Sequence, residues 1–117
     1  MRKKIKISLK NLNSFGVDAI SSDFNVANSE QEIIEFLNEI KFSNPIILGG
    51  GTNILFKSNI DKSLLKIEIK GIEIINETNN YVHVSVGAGE IWDNLVNWSI
   101  EKNYGGLENL SFIPGNV

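Results

Sequence analysis

The sequence predicts an α+β fold that opens with a parallel βαβ unit, and three observations carry that prediction. A capped amphipathic helix stands between two strand candidates, 17–27 and 46–48. Three consecutive glycines, Gly49 to Gly51, follow the second strand directly. An alternating strand and a second amphipathic helix then fill the later half. A parallel unit followed by antiparallel strands argues against a uniform doubly wound sheet.

Residues 17–27 mix β-branched and polar side chains and read as an irregular strand. In Ser29-Glu30-Gln31-Glu32 the Ser29 hydroxyl can take a free amide proton while Glu32 reaches back, a capping box. Behind it Ile33, Ile34, Phe36, Leu37 and Ile40 recur at helical spacing and form one apolar face. Asn44-Pro45 stops the helix and launches Ile46-Ile47-Leu48, apolar on both sides as a buried parallel strand is. Residues 64–69 read as a further strand, broken by Gly71 from Ile72-Glu73-Ile74-Ile75. Thr78-Asn79-Asn80 is a turn. Val82, Val84 and Val86 then alternate with Tyr81, His83 and Ser85, which predicts a hairpin with one wet face. A second helix is expected over 91–103, with Ile91, Leu95, Trp98 and Lys102 aligned and Trp92 and Val96 widening the stripe. Gly105-Gly106 stands beyond its end as a stop.

At 117 residues the chain suits one domain with a hydrophobic core. Net charge is −3, and the Arg2-Lys3-Lys4 opening plus Lys6 reads as a solvated terminus, so no nucleic-acid partner is expected. With no cysteine, disulfides, thiolate nucleophiles and Cys-ligated zinc are excluded. No signal-peptide pattern or membrane span is read, which makes the cytoplasm the expected location and a membrane no expected partner.

The densest chemistry lies in Pro45 to Phe56, where an apolar strand runs into Gly49-Gly50-Gly51-Thr52-Asn53. Glycines at a strand end let backbone N–H groups approach an anion unobstructed. This is not a Walker A loop, since no Gly-Lys-Ser/Thr follows. Nor is it a dinucleotide fingerprint, because Ile54 stands where a third glycine belongs and no helical run follows. Chemistry alone leaves a phosphate cradle and a plain turn both open; Thr52 and Asn53 add donors and tilt the balance to the cradle. Gly87-Ala88-Gly89-Glu90 looks similar, but strand-to-helix junctions commonly need glycine, so it reads as structural, with Glu90 a first-turn acid. His83, the only histidine, has no acid at a metal-ligand spacing and reads as a surface residue. Trp92 and Trp98 read as core. No nucleophile–base pair and no metal-ligand set can be assembled.

Four motifs in order and spacing resemble the UDP-N-acetylenolpyruvoylglucosamine reductase family, also called UDP-N-acetylmuramate dehydrogenase. They are Asn13-Ser14-Phe15-Gly16, the loop from Gly49 to Phe56, Val86-Gly87-Ala88-Gly89-Glu90-Ile91-Trp92, and Gly106-Leu107-Glu108-Asn109-Leu110 through Ile113-Pro114-Gly115-Asn116-Val117. Ser14 stands where the family usually has Thr, and the hydroxyl is kept. The resemblance implies a flavoprotein of the vanillyl-alcohol-oxidase type whose FAD-binding region has two α+β subdomains. It implies a first βαβ subdomain over about 1–70 and the start of a second, with antiparallel strands and a helix, over about 71–117.

It further implies an oxidoreductase in which NADPH reduces FAD and the flavin reduces a UDP-sugar enolpyruvyl ether for peptidoglycan. Gly49, Gly50, Gly51, Thr52 and Asn53 would wrap the FAD pyrophosphate, following Ile47 and Leu48. Ile54 and Leu55 would pack beside the cofactor, and Ile113, Pro114 and Gly115 would line its other side. The family's active-site serine, arginine and glutamate lie in parts that this sequence does not contain. The chain is therefore expected to be a cut, monomeric FAD-binding portion with no catalytic residue of its own, weak in retaining FAD and inactive alone. Three rivals stand beside this reading: another flavoenzyme of the same cofactor fold, such as a sugar or lactone oxidase, a non-catalytic nucleotide-binding module, and a folded structural domain whose glycines only turn the chain.

Overall fold

The computed structural model describes residues 4–41 and 43–117; the expected basic terminus at Arg2 and Lys3 lies outside the described residues. Among the described residues six strands form a four-stranded sheet and a two-stranded sheet, and two α-helices accompany them. The larger sheet contains β1 (Ile5–Ser8), β2 (Ile20–Ala27), β3 (Ile46–Leu48) and β4 (Leu64–Ile67) in the order β1-β2-β4-β3. β2 and β3 both pair parallel with β4, while β1 pairs antiparallel with β2. The expected βαβ unit is therefore present, with β4 inserted between its two strands.

That insertion corrects one expectation. β3 is an edge strand rather than a central one, so Ile47 is 56% exposed and only Leu48 is buried. β1 is not among the expected elements, although Ile5, Ile7 and Leu9 alternate with Lys4, Lys6 and Ser8 at the period of a strand. β2 begins at Ile20 rather than Val17 because the buried Asn13 side chain takes both backbone groups of Val17, donating to its oxygen at 3.0 Å and accepting its amide at 3.0 Å. β4 ends at Ile67, and the Ile69 carbonyl that would extend it accepts instead from Gly89.

The sheet buries both faces. On one side α1 (Glu30–Glu39) sets Phe36, with Ile33, Leu37 and Ile40, against Ala27, Leu65 and Ile67. Ile34 points away and is half exposed. Ser29 caps α1, its hydroxyl accepting from Glu32 at 3.2 Å, and the Glu32 carboxylate accepts from the amide of Asn28 at 2.6 Å, one residue earlier than a capping box requires. On the other side Leu9, Ala19, Phe24, Leu48, Phe56 and Leu64 form the larger core cluster. Phe56 belongs to the long β3–β4 connection, which is further fastened where the Ile60 amide donates to Ile20 at 2.8 Å and Ser22 donates to the Ile60 carbonyl at 3.0 Å. The glycine loop thus hangs between a buried strand end and a buried phenylalanine.

β5 (Ile72–Glu77) and β6 (Val82–Val86) form the expected antiparallel hairpin, turned at Thr78. Its apolar face is only half covered: Val82, Val84 and Val86 are intermediate, Ile74 is exposed, and His83 is exposed on the other face. α2 (Trp92–Glu101) buries Leu95, Val96 and Ser99, while Trp92 and Trp98 are half-buried rather than core. Its C-terminus is closed by Asn103 at φ +59, with Asn103 donating to Ile100 and Tyr104 to Ser99 in a Schellman pattern. The left-handed residue is therefore Asn103, not the glycines that follow. The Cα radius of gyration, 16.8 Å, exceeds the roughly 13 Å of a single compact body of this length. Extents of 50 × 31 × 17 Å describe the same elongation.

Candidate functional site

The cleft that gathers the expected residues opens at the carboxyl ends of the parallel strands β3 and β4. Open α/β sheets commonly present their ligand sites there. Its volume is about 490 Å³, and Ile47, Leu48, Gly49, Gly50, Gly51, Thr52, Asn53 and Ile54 line one side of it. Pro114 and Gly115 line the opposite side, with Asn116 and Val117. Ile67, at the end of β4, and Ala88 complete the lining. Of the expected site residues only Leu55 and Ile113 lie outside the lining; both are exposed, at 60% and 48%.

The glycine loop has its shape for identifiable reasons. Gly51 adopts φ +68, and a Cβ there would stand 1.9 Å from the Leu12 carbonyl oxygen. Only glycine fits. Its own carbonyl accepts from Ser14 at 2.9 Å, so the loop rests on the turn that follows Leu9. Asn13 holds that turn from within, donating from Nδ2 to the Leu9 carbonyl at 2.7 Å as well as to Val17. Asn13-Ser14 and the glycines are thus two halves of one support. Gly50 faces the other wall, where a Cβ would come within 3.0 Å of Asn116 Oδ1 and 3.4 Å of the Gly115 Cα. Gly49 has open space around it.

The loop's amides are unspent. Among the described residues, no acceptor takes the N–H of Gly49, Gly50, Gly51, Thr52 or Asn53. A run of free donors at a strand end, with hydroxyl and carboxamide side chains beside it, is the chemistry that a phosphate or pyrophosphate requires. No lining residue carries an ionised side chain. The nearby lysines are engaged elsewhere: Lys66 pairs with Glu68, and Lys70 Nζ donates to the Gly89 carbonyl. Burial, and after it the charge of Lys70, hold the Lys66 ammonium below the usual lysine range.

The far wall is fixed by α2. The Gly115 carbonyl accepts from the Trp92 amide at 3.0 Å, Val117 donates to Glu90 at 2.9 Å, and Ile91 pairs with Asn116 as an isolated antiparallel bridge. Glu90 is not a first-turn acid, since α2 begins at Trp92; its Oε1 accepts from the Gly71 amide at 2.8 Å and ties the strand end to the turn. Gly87 and Gly89 have the structural role expected of them. Added Cβ atoms would meet Ile69 O at 2.3 Å and the Glu68 carbonyl carbon at 2.6 Å, so the two chain segments touch backbone to backbone. Sequence reasoning missed Ile67, Ala88, Asn116 and Val117 as lining. Ala88 carried a usable signal, being the small residue between two close-packed glycines; Ile67 carried none, because only the sheet order brings it to the cleft.

A glycine loop with free amides at the ends of parallel strands has the donors that a phosphate-bearing ligand uses, and the comparison with known families gives the class of protein. The FAD binding domain family matches residues 24–117, and the chain belongs to it. FAD is its cofactor. Among curated relatives, the UDP-N-acetylenolpyruvoylglucosamine reductase of Flavobacterium johnsoniae is 44% identical over 117 residues, all of this chain and 35% of that protein. The protein of the same name from Blochmanniella pennsylvanica is 46% identical over 93% of this chain and 32% of its own length. A crystal structure titled UDP-N-acetylenolpyruvylglucosamine reductase (MurB) from Thermus caldophilus superposes with a TM-score of 0.69 at 23% identity. It covers 98% of this chain and 40% of that one, and at this identity the likeness shows the fold. The chain thus spans about a third of the length of the curated relatives it matches.

Proposed function

We propose that this chain forms the FAD pyrophosphate site of an NADPH-dependent UDP-N-acetylenolpyruvoylglucosamine reductase of peptidoglycan synthesis. The run of unspent amides from Gly49 to Asn53 carries the reading. The pyrophosphate would receive hydrogen bonds from those amides and from Thr52 and Asn53, while Ile47, Leu48 and Ile54 shield one flank and Pro114 and Gly115 the other. Leu55 and Ile113, exposed beside the cleft, belong to a wider cofactor surface in this reading. FAD, when bound, supplies hydride acceptance and donation; the residues of this chain bind and orient it, and none takes a catalytic proton.

The reading extends to a division into subdomains near residue 70, supported by the separate sheets and the elongated outline. Its setting would be a cytoplasmic monomer whose partners are FAD, NADPH and the UDP-sugar, with nucleic acid disfavoured by the net charge of −3. The 44% identity to a reductase named for that UDP-sugar supports the substrate over a sugar or lactone.

Titration of the purified 117-residue chain with FAD, followed by flavin fluorescence, tests the cofactor site. Saturable quenching competed by ADP is the expected result, with a dissociation constant of about micromolar or weaker. Absence of any saturable change at millimolar FAD would remove the proposal.

A further inference from the structure

The loop that closes the cleft holds a residue in an unfavourable conformation. Phe112 sits at φ +58, yet its ring is 90% exposed and gains nothing by burial. A left-handed backbone is costly for an aromatic residue and persists only where its surroundings impose it. The imposing contacts come from the first turn of α2. The Asp93 Oδ1 oxygen accepts the Phe112 amide proton at 2.8 Å, and Asp93 Oδ2 accepts from Asn97 Nδ2 at 3.4 Å, which orients the carboxylate. On one side of Phe112 the Trp92 indole donates to the Leu110 carbonyl at 2.8 Å; on the other, the Trp92 amide donates to Gly115. The segment is therefore anchored two residues before the twisted residue and three after it, and Asp93 holds the twist itself.

We infer that Asp93 is a positioning residue whose carboxylate locks Phe112 in its left-handed state and so sets the width of the cofactor cleft. The consequence falls on Gly115, which lies so near the glycine loop that a Cβ on it would stand 3.0 Å from Thr52 Oγ1. With clearances of that size, even a small shift transmitted from the loop after Leu110 past the Trp92–Gly115 hydrogen bond changes the gap that faces Gly50 and Thr52. The effect on ligand rests on the proposed FAD site, whereas the lock on Phe112 belongs to the chain alone.

The test compares Asp93→Ala, Asp93→Ser and Asp93→Asn in the full 117-residue chain. Asparagine keeps an acceptor oxygen at the same reach, serine suits a helix start but is too short, and alanine has no acceptor. Two readouts are used: exchange of the Phe112 amide hydrogen without ligand, and the FAD dissociation constant. Expected are exchange and dissociation constants both raised about tenfold in the Ala and Ser variants, the factor of one charge-assisted hydrogen bond. The Asn variant is expected within about threefold of the unaltered chain. If Asp93→Ala does not fold, Asp93→Ser decides. Unchanged exchange in the folded variants, or an Asn variant as poor as Ser, overturns the lock. Faster exchange with an unaltered FAD constant overturns its control of the cleft. If the unaltered chain binds no FAD, the cofactor reading fails, and exchange alone still decides the lock.

Discussion

Two of the glycine-rich turns in this molecule use their glycines for opposite ends. At Gly87 and Gly89 the missing side chains let two backbones touch, and the amides are spent on Gly71 and Ile69 at 2.8 Å each. At Gly49 to Gly51 one glycine, Gly51, has the same packing role, but the amides are unspent and Gly49 faces open space. A glycine-rich turn whose donors are consumed is a joint. One whose donors are left over, beside a cleft, keeps the capacity to bind a ligand. Composition does not separate the two cases; the hydrogen-bond inventory does.

Substitutions can break that contrast. The largest effect is expected at Gly51, where alanine would meet both the positive φ and the Leu12 carbonyl, costing about 3 kcal/mol or more. Gly87→Ala meets Ile69 O at 2.3 Å without the conformational penalty and is expected to cost about 2 kcal/mol. Urea unfolding of both variants checks the order, and a Gly87→Ala chain as stable as the unaltered one would erase the joint. Gly49→Ala is the converse case: stability within about 0.5 kcal/mol of the original, but FAD binding weakened, because the new methyl group occupies cleft rather than protein. Unfolding and flavin titration on the same preparation separate the two outcomes.

The smallest effect concerns acid. The Glu108 carboxyl lies below its usual range, held there chiefly by its own backbone amide and then by that of Gly106, which donates at 2.5 Å. A depressed carboxylate contributes stability that is complete above its unfolded value and lost as pH falls through the folded one. Protection of the Gly106 amide, measured against its free exchange rate, is therefore expected to fall only below the ordinary carboxylate range, and Glu108→Gln is expected to remove that fall.

Much of this was legible in the sequence where local rules suffice. The Ser29 cap, the Asn44-Pro45 break, the β6 alternation and the glycine loop are each encoded within a few residues. What escaped depended on sheet order or on competition for a backbone group. Nothing near Ile47 in the sequence tells that β4 inserts beside it and leaves it on the edge. Nothing near Ile67 tells that its strand ends at the cleft. Glu90 differs from expectation because a helix-start acid and a brace to Gly71 have the same local pattern, and the helix stop falls at Asn103 although the glycine pair downstream offers the commoner one. The strand Ile5–Ser8 is the one element whose signal was present and was outweighed by its flanking lysines.

The absence of an ionised side chain from the cleft lining has a consequence for how ligand and solvent trade places. A phosphate captured by lysines or arginines displaces condensed counterions, and its affinity collapses as salt is added. A phosphate captured by amide dipoles exchanges water for fixed partial charges and releases few ions. Across the range from dilute buffer to physiological ionic strength, affinity at this site is expected to stay nearly level. Salt slightly relieves the repulsion between the dianion and a chain of net charge −3. A ligand held in this way stays bound through changes in salt that would empty a cationic pocket.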